Sequence, residues 1–363
     1  MNKNILKHAP NFEETKKRFE AWWNRSCIGR PMMKLPCIRE KPLAPLVEIP
    51  ETNDAEKIHC DPERKVNIYR NFLNSHILMA ETLPNTNINI GPGSMATYLG
   101  APPVFDERTV WYEKIVDDWN DFDFKFDPDN YWIKRHLDLI AKQCELSNGE
   151  FYVGIPDIIE NVDILSSLRG PKDFCYDLID EPELVHQCLD KLDELYFKYY
   201  DAFYDIVKDD EGGSVYTAFE IWGKGKTVKV QCDFSALMNP SQYREFVQPR
   251  LAKQCSKMNN SLYHLDGPDA IPHLDAVLEI KEIDALQWVP GSGNTSPDDE
   301  RWFFIYDKVK AAGKSLWIVV SSIEKADAIV KRYGPEGLYL LFPEMTEKEG
   351  VSLLKKAERE WSV

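Results

Sequence analysis

The sequence predicts an α/β protein: a single (β/α)8 TIM barrel over residues 1–363, with long loops on the carboxyl-terminal face of its strands. Three observations carry that expectation. Eight short apolar or β-branched runs recur along the chain, and segments of helical period separate them. No glycine fingerprint follows the first run, as a doubly wound nucleotide-binding sheet would require.

The runs are PMMKLPC (31–37), TNINIG (86–91), FYVGI (151–155), SVYTAFE (214–220), SLYHLD (261–266), DALQWVP (284–290), KSLWIVV (314–320) and GLYLLF (337–342), each flanked by turn residues. Between them lie amphipathic segments such as DPDNYWIKRHLDLIAKQCEL and NPSQYREFVQPRLAKQCSKM. The closing half is most regular, and a last outer helix is expected from Thr346. Three connections are long, 38–62, 92–128 and 221–239, and all follow strands. In a barrel they would stand on the face where such enzymes keep their chemistry. The stretch VWYEKIVDDWNDFDFKFDPD, rich in aromatics and acids, is either a lid or a packed surface loop.

The 363 residues are 43% hydrophobic and include ten tryptophans, enough apolar mass to form a core without metal or disulfide. Formal net charge is −16, with the basic residues dispersed, which argues against nucleic-acid or anionic-membrane partners and for small molecules or proteins. No stretch has the length of a membrane span, and charges interrupt the amino-terminal segment, so a cytoplasmic location is expected. Eight cysteines without a CxxC pair read as reduced, mostly core thiols.

If these strands are right, their carboxyl ends gather Asn89, Asp157, Glu220, His264 with Asp266, Trp288, Ser321 with Ser322, and Glu344 at one mouth. Side chains at i and i+2 of a strand share a face, so His264 and Asp266 point together. The pair suits a metal site, general acid–base work or hydrogen bonding to a polar substrate; a plain structural pair that orients the following Gly267-Pro268 turn is the alternative. Glu220 and Glu344 are the remaining candidates for further ligands, and Glu220 joins His264 and Asp266 as a candidate catalytic group. The Gly-Lys-Gly-Lys loop with Lys224 and Lys226 lacks the glycine spacing of a phosphate loop. Cys232 has no histidine near it in sequence to activate it as a nucleophile.

The segments NPSQYREFVQPRLAKQ, YHLDGPDAIPHLDAVLEIKEIDALQWVPGSG and GKSLWIVV, with ILSSLRGPKDFCYDLIDEPELVHQCLDKL upstream, resemble the uroporphyrinogen decarboxylase superfamily over most of the chain. The resemblance implies a (β/α)8 barrel and two activities. One is decarboxylation of a tetrapyrrole; the other is corrinoid-dependent methyl transfer assisted by zinc. The decarboxylases' amino-terminal arginine-rich segment is replaced here by RFEAWWNRSCIGRPMMKLP. The thiol-activating methyltransferases' His-x-Cys pair and later Cys are matched by His264-Leu265-Asp266 and Pro343-Glu344-Met345, so the histidine stays and both thiolates are missing. A histidine with carboxylates makes a harder site, with His264, Asp266 and Glu344 as candidate ligands and zinc as the first ion to test.

The pocket so drawn has an aromatic side, Trp222 and Trp288, and a carboxylate side, Glu220, Asp233 and Asp266, a combination that suits a methylated ammonium. Asn89 and Asp157 complete the expected substrate-binding set. The expected function is a corrinoid-dependent methyltransferase-like enzyme acting on a small methylated compound, with a corrinoid protein as partner. The alternatives are a decarboxylase or lyase of a small organic acid, or a catalytically silent ligand-binding barrel.

Overall fold

A computed structural model describes residues 8–362. Its centre is an eight-stranded sheet in which seven strands run parallel, in the order Met345–Thr346, Met32–Ile38, Leu338–Leu341, Ser315–Val319, Ala285–Val289, Asn260–Asp266 and Thr227–Val230. The eighth, His76–Ala80, lies antiparallel against Met32–Ile38. These strands read as nearly unbroken apolar runs because helices cover the sheet's outer face, as in parallel sheets generally. A shorter parallel ladder joins Asn85–Thr86 to Tyr152–Val153, and Ile155 bridges to Tyr216 in the next run. The buried apolar side chains form one continuous cluster. Among the described residues, no helix is long and apolar enough to cross a membrane.

The amino-terminal helix Phe12–Trp23 buries Phe12, Thr15, Phe19, Trp22 and Trp23, a stripe at helical spacing. It closes the amino ends of the strands: Trp22 Nε1 donates to the Leu316 carbonyl (3.2 Å), and Ser315 Oγ donates to the Trp22 carbonyl (2.5 Å). At the other terminus Thr346 caps the helix Glu347–Glu360. Its hydroxyl accepts from Glu349 N, and the Glu349 carboxylate accepts from Thr346 N, a capping box written in the sequence as Thr-Glu-Lys-Glu.

The fourth run departs from the sequence expectation. SVYTAFE is strand only over Ser214–Tyr216; Thr217–Phe219 forms a 3-10 turn, Glu220 takes φ +52°, and the chain reverses into Ile221–Gly223, antiparallel to Ser214–Tyr216. The strand beside Asn260–Asp266 is instead Thr227–Val230, inside the segment expected to be the long loop 221–239. The turn is anchored by Phe219. Its ring packs on Trp317 and His264, and its carbonyl accepts from Trp317 Nε1 (2.9 Å). The Lys224–Lys226 tip therefore lies at the amino ends of the strands, with Lys226 paired to Asp201 (2.7 Å).

Segment 38–62 runs back over the helix Pro62–Ser75, held by Leu43 N to Asn74 O (2.9 Å) and Val47 N to Asn71 Oδ1 (2.8 Å). Segment 92–128 contains the short helix Met95–Tyr98 and a hairpin, Pro103–Phe105 with Val110–Tyr112. Its later part is packed down: Trp119 Nε1 donates to Asp177 (2.7 Å), and the Trp119 ring meets Phe174.

Candidate functional site

At the carboxyl end of the parallel sheet His264 and Asp266 share a face, with His264 Nε2 and Asp266 Oδ2 4.0 Å apart. The register pairs His264 with Gln287 on the neighbouring strand, and Nδ1 of His264 bonds Oε1 of Gln287. The Gln287 amide is itself oriented, because its Nε2 donates to the Trp288 carbonyl (3.2 Å). Oε1 can only accept, so Nδ1 carries the proton and Nε2 faces the carboxylates.

The third member is Asp233. One ligand atom each from Asp233, His264 and Asp266 lies within 4.8 Å of the others. Asp233 arrives from the strand Thr227–Val230, whose continuation sets Lys229, Gln231 and Asp233 on one side at intervals of two. Lys229 is fully buried and pairs with Asp157 (2.8 Å), which also accepts from the Tyr216 hydroxyl (2.7 Å). The Lys229 ammonium donates to Gln231 Oε1, and Gln231 Nε2 donates to Asp233 Oδ2 (2.7 Å). The Asp163 carboxylate accepts from the backbone N–H groups of Asp233 (2.9 Å) and Phe234 (2.8 Å), which fixes the turn that carries Asp233.

The loop that supplies Asp157 and Glu160, running into the helix Asn161–Arg169 that carries Asp163, holds Ile159 at φ +52° and Asn161 at φ +53°. A β-branched residue in the left-handed region is strained, and such strain persists where surrounding structure enforces it and clusters at functional sites. The electrostatics tell the same story. Burial pushes the Glu160 carboxyl up to about 8 against the opposing Lys229 charge. Burial, then the Asp233 charge, lifts Asp163 to about 6. Asp233 is also raised, by burial first, with Asp266 and Asp157 adding to it. For His264, burial and the Lys229 ammonium lower the pKa, so the imidazole is held neutral. A neutral imidazole nitrogen facing crowded carboxylates is a donor set short of positive charge.

Of the residues singled out in the sequence, His264, Asp266, Asp233 and Asp157 belong to this connected polar group. None of the others is among the contacts that join it. Glu220 sits in the reversed turn, paired with Lys34 (2.6 Å). Glu344 is half exposed and faces His76 (3.4 Å), outside the group of Asp233, His264 and Asp266. Trp222 packs under the amino-terminal helix, where its carbonyl accepts from Trp23 Nε1 (2.9 Å) and its own Nε1 donates to Asp209 (3.1 Å). Trp288 points away from the His264 face and packs tilted against Trp302 (5.1 Å between ring centres), because the side chain that shares that face is its neighbour Gln287. The Asn89 side-chain oxygen is buried with no hydrogen-bond partner among the described residues. Ser321 is engaged by Asp298, which accepts from its N–H and its hydroxyl (both 2.6 Å), and Ser322 caps the helix Ile323–Tyr333. The Cys232 thiol is buried and pushed well above its ordinary pKa, chiefly by burial, which disfavours the thiolate.

Lys229, Gln231, Glu160, Asp163 and Gln287 were not read from the sequence. For the first two the signal exists: TVKVQCD alternates, placing Lys229, Gln231 and Asp233 together.

Beside this group lies a cleft of about 600 Å³ between the Val110–Tyr112 strand, the helix Asn161–Arg169 and the turn Asp233–Leu237. Asp163 and Asp233 line it, so it adjoins the three-residue cluster through a shared carboxylate. No protein-family model matches the chain, and no curated protein matches its sequence.

Proposed function

We propose that the chain is a (β/α)8 barrel enzyme that binds a divalent metal at Asp233, His264 and Asp266 and transfers a methyl group between a small methylated compound and a corrinoid carried by a partner protein. Closure of the barrel is supported by the Asn85–Thr86, Tyr152–Val153 and Ser214–Tyr216 runs, which supply strands to follow Met32–Ile38 and precede Thr227–Val230. The eight free thiols suit a reducing cytoplasm.

The observation that carries the metal reading is the Gln287-fixed imidazole, whose Nε2 faces two carboxylates. An outer partner that orients a ligating histidine is a regular feature of metal centres. The set fits a divalent cation: one borderline nitrogen with hard oxygens admits zinc and also manganese or magnesium. A bound ion would supply a Lewis acid at this edge of the cleft. The protein's own part is to keep His264 neutral through burial and Lys229, to hold Asp233 through the Asp163 clamp, and to present a carboxylate-lined opening to the substrate. The reaction class itself comes from the sequence resemblance.

Two measurements test the reading. Metal analysis and divalent-ion titration of protein purified without chelator should find an ion that the double variant His264→Ala, Asp266→Ala loses. Incubation with methylcobalamin or cob(I)alamin and a panel of methylated amines, ethers and thiols should change the corrinoid absorbance. Full activity in metal-free protein overturns the metal assignment. Carbon dioxide released from a small acid with no corrinoid change turns the reading to a decarboxylase; silence in both assays with ligand-induced thermal stabilisation turns it to a binding protein.

A further inference from the structure

The cleft next to the cluster is unlike the rest of the carboxyl edge. Its walls are apolar and aromatic, with Trp111 and Tyr112 from the hairpin, Ile159 and Ile164, and Phe234 from the turn. Two carboxylates, Asp163 and Asp233, stand in the same lining. Of its lining side chains only Lys114 is cationic, and that ammonium is already held by Asp173 (3.0 Å) and Asp117 (3.5 Å). The volume, about 600 Å³, falls within the roughly 300–1,000 Å³ of small-molecule sites and far exceeds a single methylamine. Trp111 is largely exposed on the hairpin, a position where packing alone gives an indole no reason to stand.

We infer that this cleft binds a substituted ammonium cation with an apolar body, the charged head lying toward Asp163 and Asp233 and the body against Trp111, Tyr112 and Phe234. Aromatic faces attract such cations through the ring quadrupole, and the two carboxylates add the countercharge. An anion would meet two carboxylates with the one lysine spoken for. The aromatic-plus-acid chemistry expected from Trp222 and Trp288 thus finds different residues, none of them at those positions. The inference rests on the proposed function only for where the bound cation would react, since Asp233 belongs to both the cleft and the cluster; the binding itself needs the cleft alone. Ile159, held at a left-handed φ, lines the same space, so the strained loop shapes the cleft as well as the polar group.

The test is calorimetric titration with benzyltrimethylammonium, the neutral 2-methyl-1-phenyl-2-propanol and the anion phenylacetate. The cation should bind about tenfold or more tightly than the alcohol, and phenylacetate should not bind. Ser167→Phe, which fills the cleft from the helix, should abolish binding. Leu237→Lys, on an exposed rim position that tolerates substitution, should weaken the cation by about tenfold and admit phenylacetate. Equal affinity for alcohol and cation, a preference for phenylacetate, or cation affinity unchanged in Leu237→Lys overturns the inference. His264→Ala separates the two readings: it should lose the metal and keep the cation. Cation binding without metal in the wild type sinks the metal centre alone; metal binding without cation binding sinks the cleft alone.

Discussion

Nδ1 of His264 is hydrogen-bonded to Oε1 of Gln287, and the parallel register holds the two residues side by side on the same face. That contact decides the imidazole tautomer, and the tautomer leaves a free lone pair on Nε2, the nitrogen facing Asp233 and Asp266. Replacing Gln287 by Leu removes the acceptor while keeping much of the volume. Divalent-ion affinity should fall by about 10- to 100-fold, the usual effect of removing an outer partner of a metal ligand. Unchanged affinity by titration would show that the contact only packs the strands.

Lys229 is buried between Asp157 and Gln231. Lys229→Met leaves Asp157 as a buried charge without its partner, and urea denaturation should show a loss of about 3–5 kcal/mol. Adding Asp157→Asn should recover a large part of it, since the double change removes both charges. Single and double variants of equal stability would mean that the pair does not act as a unit.

Glu160 predicts a pH dependence with a definite sign. Its folded pKa, about 8, lies above the ordinary carboxyl value of 4.5, so its contribution is fully present below about 4.5 and is lost as pH rises through 8. Glu160→Gln keeps an acceptor for the Gln231 N–H and removes the titration. The variant should therefore gain stability relative to wild type across this window, by up to about 1.4 kcal/mol per pH unit. Parallel stability–pH curves would contradict the burial of an ionisable group there.

Trp222 tests the placement of the aromatic residues. Lying beneath the helix Phe12–Trp23, it should act on stability alone. Trp222→Ala should lower the unfolding free energy by about 3–5 kcal/mol with divalent-ion affinity unchanged. Lost ion binding at an unchanged melting temperature would put the indole at the site instead.

The alternation of apolar runs and helical segments was legible in the sequence because burial on both faces of a parallel strand leaves an unbroken hydrophobic signal, as in SLYHLD and KSLWIVV. The capping box at Thr346 and the shared face of His264 and Asp266 were legible too, since both depend on spacing a few residues long. The reversal at Glu220 was not. No glycine marks it, and the left-handed turn is held by Phe219 against Trp317 and His264, residues distant in the chain. Trp288 shows the same limit at the scale of one residue: a strand's period is two, so choosing Trp288 over Gln287 places the wrong neighbour on the working face.

The chain by itself determined the α/β class, most of the apolar strand runs and the one strand that ends in a histidine and an aspartate, all consequences of local periodicity and side-chain chemistry. Tertiary structure alone decided which further carboxylate joins them. Asp233, Asp163, Lys229 and Gln287 come from different stretches of chain, and only strand register and the clamped turn after Thr227–Val230 bring their charges within a few ångströms. Coulombic coupling and ligand geometry depend on separation in space, which spacing along the sequence does not encode once the chain has folded back on itself.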